Sequence, residues 1–225
     1  MNKVNLNVIK KSPIIKLTTG SIIAQFIAFI VSPITTRLYT PEQLGIYTLL
    51  LTVVTLFGPV LSGKIEMAIV TEKEEKKMYA AIILSGIVSI LLSVIVTILY
   101  MVYLIITNQF TTIYWLYIFI ILIYMNITGL TNILVSYNNR NRDYNIISSV
   151  YVIRTTIQNL GLVIFGIMKF SVTGMLLSQV IGNLFGIKKQ SEKLIPNIEK
   201  LKQVKKEDII EVFKRNYRLM LYTAP

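Results

Sequence analysis

Two stretches of this chain, Tyr79–Ile105 and Phe110–Val135, contain no charged side chain at all. A helix rises about 1.5 Å per residue and a bilayer's hydrocarbon core is about 30 Å thick, so roughly 20 apolar residues make one crossing. Both stretches exceed that length and can cross with tilt. Four further apolar segments are Leu17–Thr36, Leu44–Gly63, Asn145–Met168 and Phe170–Ile187. The last is the shortest, and Gly58-Pro59 predicts a kink in the second of the six spans. The expected fold is therefore all-α: a polytopic membrane protein with six transmembrane helices. Composition agrees, since only 15% of residues are charged and 54% are hydrophobic, whereas soluble domains carry about a quarter charged residues.

The formal charge of +12 gives orientation. Lys3, Lys10, Lys11 and Lys16 precede the first span, and Lys64, Lys73, Lys76 and Lys77 follow the second. Arg140 and Arg142 follow the fourth, and a run from Lys188 to Arg218 follows the sixth. The alternate connections hold only Arg37, nothing in Thr107–Phe110, and Lys169. The basic clusters thus fall on one side, and the positive-inside rule makes that side cytoplasmic, with the N-terminus there. The same clustering leaves no basic stripe on a globular face, so nucleic acid is not an expected partner. Membrane lipids are. Tyr100, Tyr103, Tyr114, Trp115 and Tyr117 flank the uncharged third connection, where an interfacial aromatic belt belongs.

The N-terminus, MNKVNLNVIKKSPIIK, resembles a signal peptide only superficially. Its apolar run is too long and no A-x-A site follows, which predicts a retained signal-anchor helix. The chain divides into a cytoplasmic tail (1–13), the six-helix lobe (14–188), a basic cytoplasmic linker (189–213) and the start of a seventh helix (214–225). Within the linker, Ile198, Leu201 and Val204, then Ile209, Val212 and Phe213, recur at helical spacing. Such a helix suits either the anionic cytoplasmic leaflet or a solvated connection.

Enzymatic chemistry has little to work with. Cysteine and histidine are absent, and the only aspartates, Asp143 and Asp208, fall in charged loops. No Gly-rich phosphate loop occurs. We expect no enzyme, no metal and no cofactor.

Polar residues inside the spans mark the candidate site. Arg154 lies near the midplane, roughly 14 Å from the start of the fifth span. Gln158 shares its face at i+4. Gln179 and Asn183 on the sixth span sit at similar depth, and Asn126, Asn132 and Gln25 add further amides. A cavity between helices would use the Arg154 guanidinium to hold an anion such as phosphate through paired hydrogen bonds. The amides suit interhelical hydrogen bonds equally well. No Asp or Glu lies within the spans, and Glu66 falls just beyond the second, near Lys64. A proton- or sodium-coupled antiporter would place a carboxylate near the midplane.

The segment RLYTPEQLGIYTLL (Arg37–Leu50) reads as a helix start. Thr40 is the cap, Pro41 the first helical residue and Gln43 the reciprocal partner, with Glu42 at the positive end of the dipole. It also carries a resemblance. Thr18–Val54, SGKIEMAIVTEKEEKKM (Ser62–Met78) and NYRLMLYTAP (Asn216–Pro225) resemble the polysaccharide transporter branch of the multidrug/oligosaccharidyl-lipid/polysaccharide exporter superfamily. That branch includes O-antigen and capsule-repeat flippases. The resemblance implies two facing six-helix lobes, of which this chain holds the first. The second lobe would come from a continuation of the chain or from a separate half.

It further implies an isoprenoid-diphosphate-linked oligosaccharide as substrate, a bacterial plasma (inner) membrane location, and glycan polymerase and ligase machinery as partners. The alternatives are a cation-coupled multidrug exporter of the same superfamily, or a non-transporting scaffold for glycan-synthesis enzymes.

Overall fold

A computed structural model describes residues 13–222, with side chains over residues 15–217. The 1–13 tail with Lys3, Lys10 and Lys11, and the end of the 214–225 segment, fall almost wholly outside them. Nine α-helices make up the described chain: α1 (Pro13–Leu38), α2 (Pro41–Phe57), α3 (Glu66–Thr71), α4 (Glu75–Ile106), α5 (Tyr114–Arg140), α6 (Tyr144–Ile167), α7 (Ser171–Gln190), α8 (Ile198–Lys202) and α9 (Lys206–Tyr222). No strand occurs among these residues.

Helices α1, α2, α4, α5 and α6 are long and apolar enough to cross a membrane. Large apolar side chains such as Phe26, Phe29, Leu49, Leu99, Phe119 and Leu160 point outward around them. An apolar exterior on this scale needs lipid around it, and the chain is a multi-pass membrane protein. The sixth expected span, α7, is 20 residues long but less apolar. It packs against α2, α5 and α6, so its buried faces carry Gly174, Gly182, Gly186, Ser178 and Asn183 in place of lipid-facing chains.

Small residues set the helix spacing. A Cβ on Gly161 would collide with Ser178, and one on Gly20 with Ser148. Backbones can approach closely only at such positions. The Ser148 hydroxyl donates to the Lys16 carbonyl at 2.6 Å, and the Tyr39 hydroxyl donates to the Leu162 carbonyl at 2.8 Å. Those two bonds fasten both ends of α1 to α6. The expected cap of α2 is present in both directions: the Gln43 amide donates to Thr40 Oγ1, and the Thr40 amide to Gln43 Oε1. Beyond Phe57 the helix tightens into a 3-10 turn, Gly58–Val60, because Pro59 has no N–H to continue the ladder. Asn132 donates to the Gly58 carbonyl at 2.8 Å.

Helix α4 is 32 residues long, about 48 Å, so it outruns the hydrocarbon core. Its first turns meet α8 and α9. Three ion pairs join them, Lys76–Asp208, Lys77–Glu211 and Lys200–Glu75, and Arg215–Glu72 ties α9 to the end of α3. Val212 is 1% exposed within the cluster of Ile65, Ile69, Met78 and Tyr79. Of the linker's expected apolar face, Val212, Leu201, Val204 and Ile209 are thus packed on this chain itself, while Ile198 and Phe213 stay exposed.

Helix α9 starts at Lys206, inside the segment expected to be linker. The Lys76 ammonium holds the Asp208 carboxyl below the usual range, helped by the Lys205 backbone N–H, which the carboxylate accepts at 2.9 Å. Asp143 keeps its expected place in the short connection before α6, directly flanking that helix.

Burying a charge at Val212 costs several kcal/mol. We expect Val212→Asp to release α9, speeding amide exchange over residues 206–217 by about 100-fold or more, on the order of the ~2.7 kcal/mol that factor represents. Ile210→Asp, at a 53% exposed position, should leave exchange there unchanged.

Candidate functional site

A cavity of about 490 Å³ opens between α2, α3, α5, α6 and α7. It lies toward the bundle end where α5 finishes, α6 begins and α7 finishes. Lys64, Arg140, Lys188 and Lys189 belong to that same end.

Arg154 is the eleventh residue of α6, half-buried, and lines this cavity. Gly186 of α7 packs against its stem. Asn183 lines the cavity with it. The Asn183 amide donates to the Gln179 carbonyl at 2.8 Å and interacts with the Tyr124 hydroxyl, which also feels the Arg154 charge.

Other residues expected at the site lie elsewhere. Gln158 is buried against Gly182, and its Nε2 has no partner. Gln179 donates to the Tyr47 hydroxyl at 2.6 Å, joining α7 to α2. Asn126 bonds back to the Leu122 carbonyl and lines a separate groove of about 240 Å³ between α4 and α5. Gln25 is exposed on α1. These four are outside the cavity lining, because the neighbouring helix or the phase of their own helix turns them away.

The largest departure from expectation is Glu66. Gly63 and Lys64 both hold positive φ, 60° and 59°, a conformation that costs a lysine free energy. The pair folds the chain back so that α3 lies against α4 and α5. Glu66, first residue of α3, lines the cavity and is only 8% exposed. A carboxylate therefore shares the cavity with Arg154. It lies outside the candidate spans, yet buried. Neither Arg154 nor Glu66 forms a salt bridge among the described residues.

Arg140, expected to report only topology, caps α3 by donating to the carbonyls of Ile69 and Glu72. Lys64, Tyr151, Asn132, Ser136 and Gln190 also line the cavity, together with Thr55, Thr128 and Thr131. Of the residues that spacing did not single out, Lys64 and Glu66 had one usable signal: a glycine and two charges directly after the Gly58-Pro59 break.

Burial raises the Glu66 pKa, opposed more weakly by Lys64 and Ser62. A carboxyl whose folded pKa is raised binds more protons folded than unfolded. Its cost is absent in acid, grows as pH climbs above its ordinary value, and levels off above the folded pKa. We expect Glu66→Gln to melt at a higher temperature than wild type at pH 8, with the difference shrinking to nothing by about pH 4. Melting of the detergent-solubilised protein across that range checks it.

The fold and cavity define a class: a multi-pass helical membrane protein with a cavity inside its bundle whose mixed walls carry Lys64, Arg154 and Glu66. No protein-family model, curated protein or solved structure matches the chain.

Proposed function

We propose that this chain is the N-terminal lobe of a flippase for isoprenoid-diphosphate-linked oligosaccharides in a bacterial plasma membrane, with α7 as its sixth span. The observation that carries the reading is Arg154: a guanidinium midway along a spanning helix, lining a roomy cavity of mixed polar and apolar walls, with no carboxylate in a salt bridge to it among the described residues. A charge in that position is costly without a ligand or water around it. Its planar fork suits a diphosphate. The cavity lies toward the basic end of the bundle, which the positive-inside rule assigns to the cytoplasm, the leaflet where such lipids would load. Motif resemblance at Arg37–Leu50 and Ser62–Met78 supports the same family.

The test is complementation of a strain lacking its repeat-unit flippase, using the gene and its Arg154→Ala variant. Restored surface glycan with the gene, and none with the variant, is the expected result. Wild-type glycan with the variant would remove Arg154 from the mechanism.

Glu66 favours keeping a second reading, a cation-coupled drug exporter of the same superfamily, because a buried cavity carboxylate can carry a proton or sodium ion. Dye efflux from proteoliposomes driven by either gradient, and lost in Glu66→Gln, would favour that reading over the first.

A further inference from the structure

Two residues that line the cavity each carry a buried oxygen without a hydrogen-bond partner: Glu66 Oε2 and Gln190 Oε1. Their residues are 8% and 1% exposed. Leaving such acceptors unpaired costs free energy, and both residues border a cavity large enough for a ligand. Gln190 is held in place from behind, since the Asn138 amide donates to its backbone carbonyl at 2.9 Å. Glu66 is fixed by α3, which Arg140 caps.

Two kinds of ligand bring donors to such oxygens: a metal cation, or a neutral group rich in hydroxyls. Lys64 and Arg154 line the same cavity and repel a cation. No group of three acidic or metal-ligating residues occurs among the described residues. The observations favour hydroxyls.

We infer that the cavity is bipartite: Arg154 takes the phosphate end of the ligand, while Glu66 and Gln190 accept hydrogen bonds from hydroxyls of the first sugar. The inference rests on the proposed function and adds to it the residues that sense the glycan. Sugar selectivity then resides in this lobe, in two acceptors contributed by α3 and α7.

The experiment measures binding of two lipids to the chain in nanodiscs: undecaprenyl diphosphate, and the same lipid bearing one N-acetylglucosamine. One to two hydrogen bonds to buried, partly charged acceptors predict about tenfold tighter binding of the sugar-bearing lipid. Glu66→Met and Gln190→Leu should each shrink that ratio toward one without weakening binding of the sugar-free lipid. Both substitutions stay close in size to the side chains they replace, and a cooperative melt of each variant verifies folding.

Equal wild-type affinity for the two lipids overturns the inference alone and points to acceptors satisfied by water. A tenfold ratio that survives in both variants also overturns it, as does a sodium-dependent affinity that replaces the sugar preference. Failure to bind either lipid rejects the proposed function, and the inference with it.

Discussion

Arg154→Ala is expected to weaken binding of undecaprenyl diphosphate by about 100-fold while leaving the bundle folded. Breaking a desolvated, hydrogen-bonded charge contact costs on the order of 2–5 kcal/mol, and 100-fold corresponds to ~2.7. Folding should not suffer, because no salt bridge is lost among the described residues. Removing an unpaired charge from the bundle even favours a slightly higher melting temperature. Arg154→Lys keeps the charge but loses the planar fork. It should recover only part of the affinity, roughly a tenfold deficit remaining. Binding to nanodisc-embedded protein, with melting measured in parallel, separates this result from misfolding. Loss of binding together with collapse of the melt would assign Arg154 to structure.

Gly182→Val should be among the most damaging single substitutions for the bundle. A Cβ there would overlap the Gln158 side chain and stand 2.9 Å from the Arg154 carbonyl oxygen. The second contact is backbone, so a rotamer change cannot relieve it, and α6 and α7 must part. Overpacking of this kind costs about 1–3 kcal/mol, and more when backbone must move. Because Arg154 and Asn183 sit on the two helices being separated, ligand binding should fall with stability. The control is Gly45→Ala on α2, where nothing lies within 4 Å of an added Cβ. Ala is better than Gly in a helix by about 0.8–1.0 kcal/mol, so this variant should melt slightly higher than wild type.

Much of the architecture follows from local rules. Hydropathy located α1, α2, α4, α5 and α6, because lipid exposure demands uninterrupted apolar runs and leaves no ambiguity of period. The α2 cap was legible to the atom, since Thr40, Pro41 and Gln43 need only one another. Helix α7 was harder. Buried by its neighbours, it is released from the need for apolar side chains, and its hydropathy fell accordingly.

The site was legible only where helical phase sufficed. Arg154 and Asn183 do meet in one cavity. Asn126 and Asn132 are six residues apart, about 240° around the helix at ~100° per residue, so only Asn132 faces the cavity. Gln158 shares a face with Arg154, but the close approach of Gly182 fills the space beside it. Glu66 was invisible to span-by-span reasoning because it lies between spans. Its burial depends on a left-handed Gly63-Lys64 pair and on α3 folding back, both tertiary facts. The docking of α9 on α4 is of the same kind: the amphipathic pattern announces an apolar partner without naming it.

The central claim is that a lipid diphosphate occupies the cavity around Arg154. Helix α5 offers a direct test, since Val135 lines that cavity and Leu130 lines the outer groove. Benzoylphenylalanine placed at Val135 should photo-crosslink radiolabelled undecaprenyl diphosphate, with the label lost on adding excess unlabelled lipid and lost again in Arg154→Ala. The same probe at Leu130 should give only weak labelling that neither treatment alters. Equal labelling at both positions, or Val135 labelling that survives Arg154→Ala, would contradict the account.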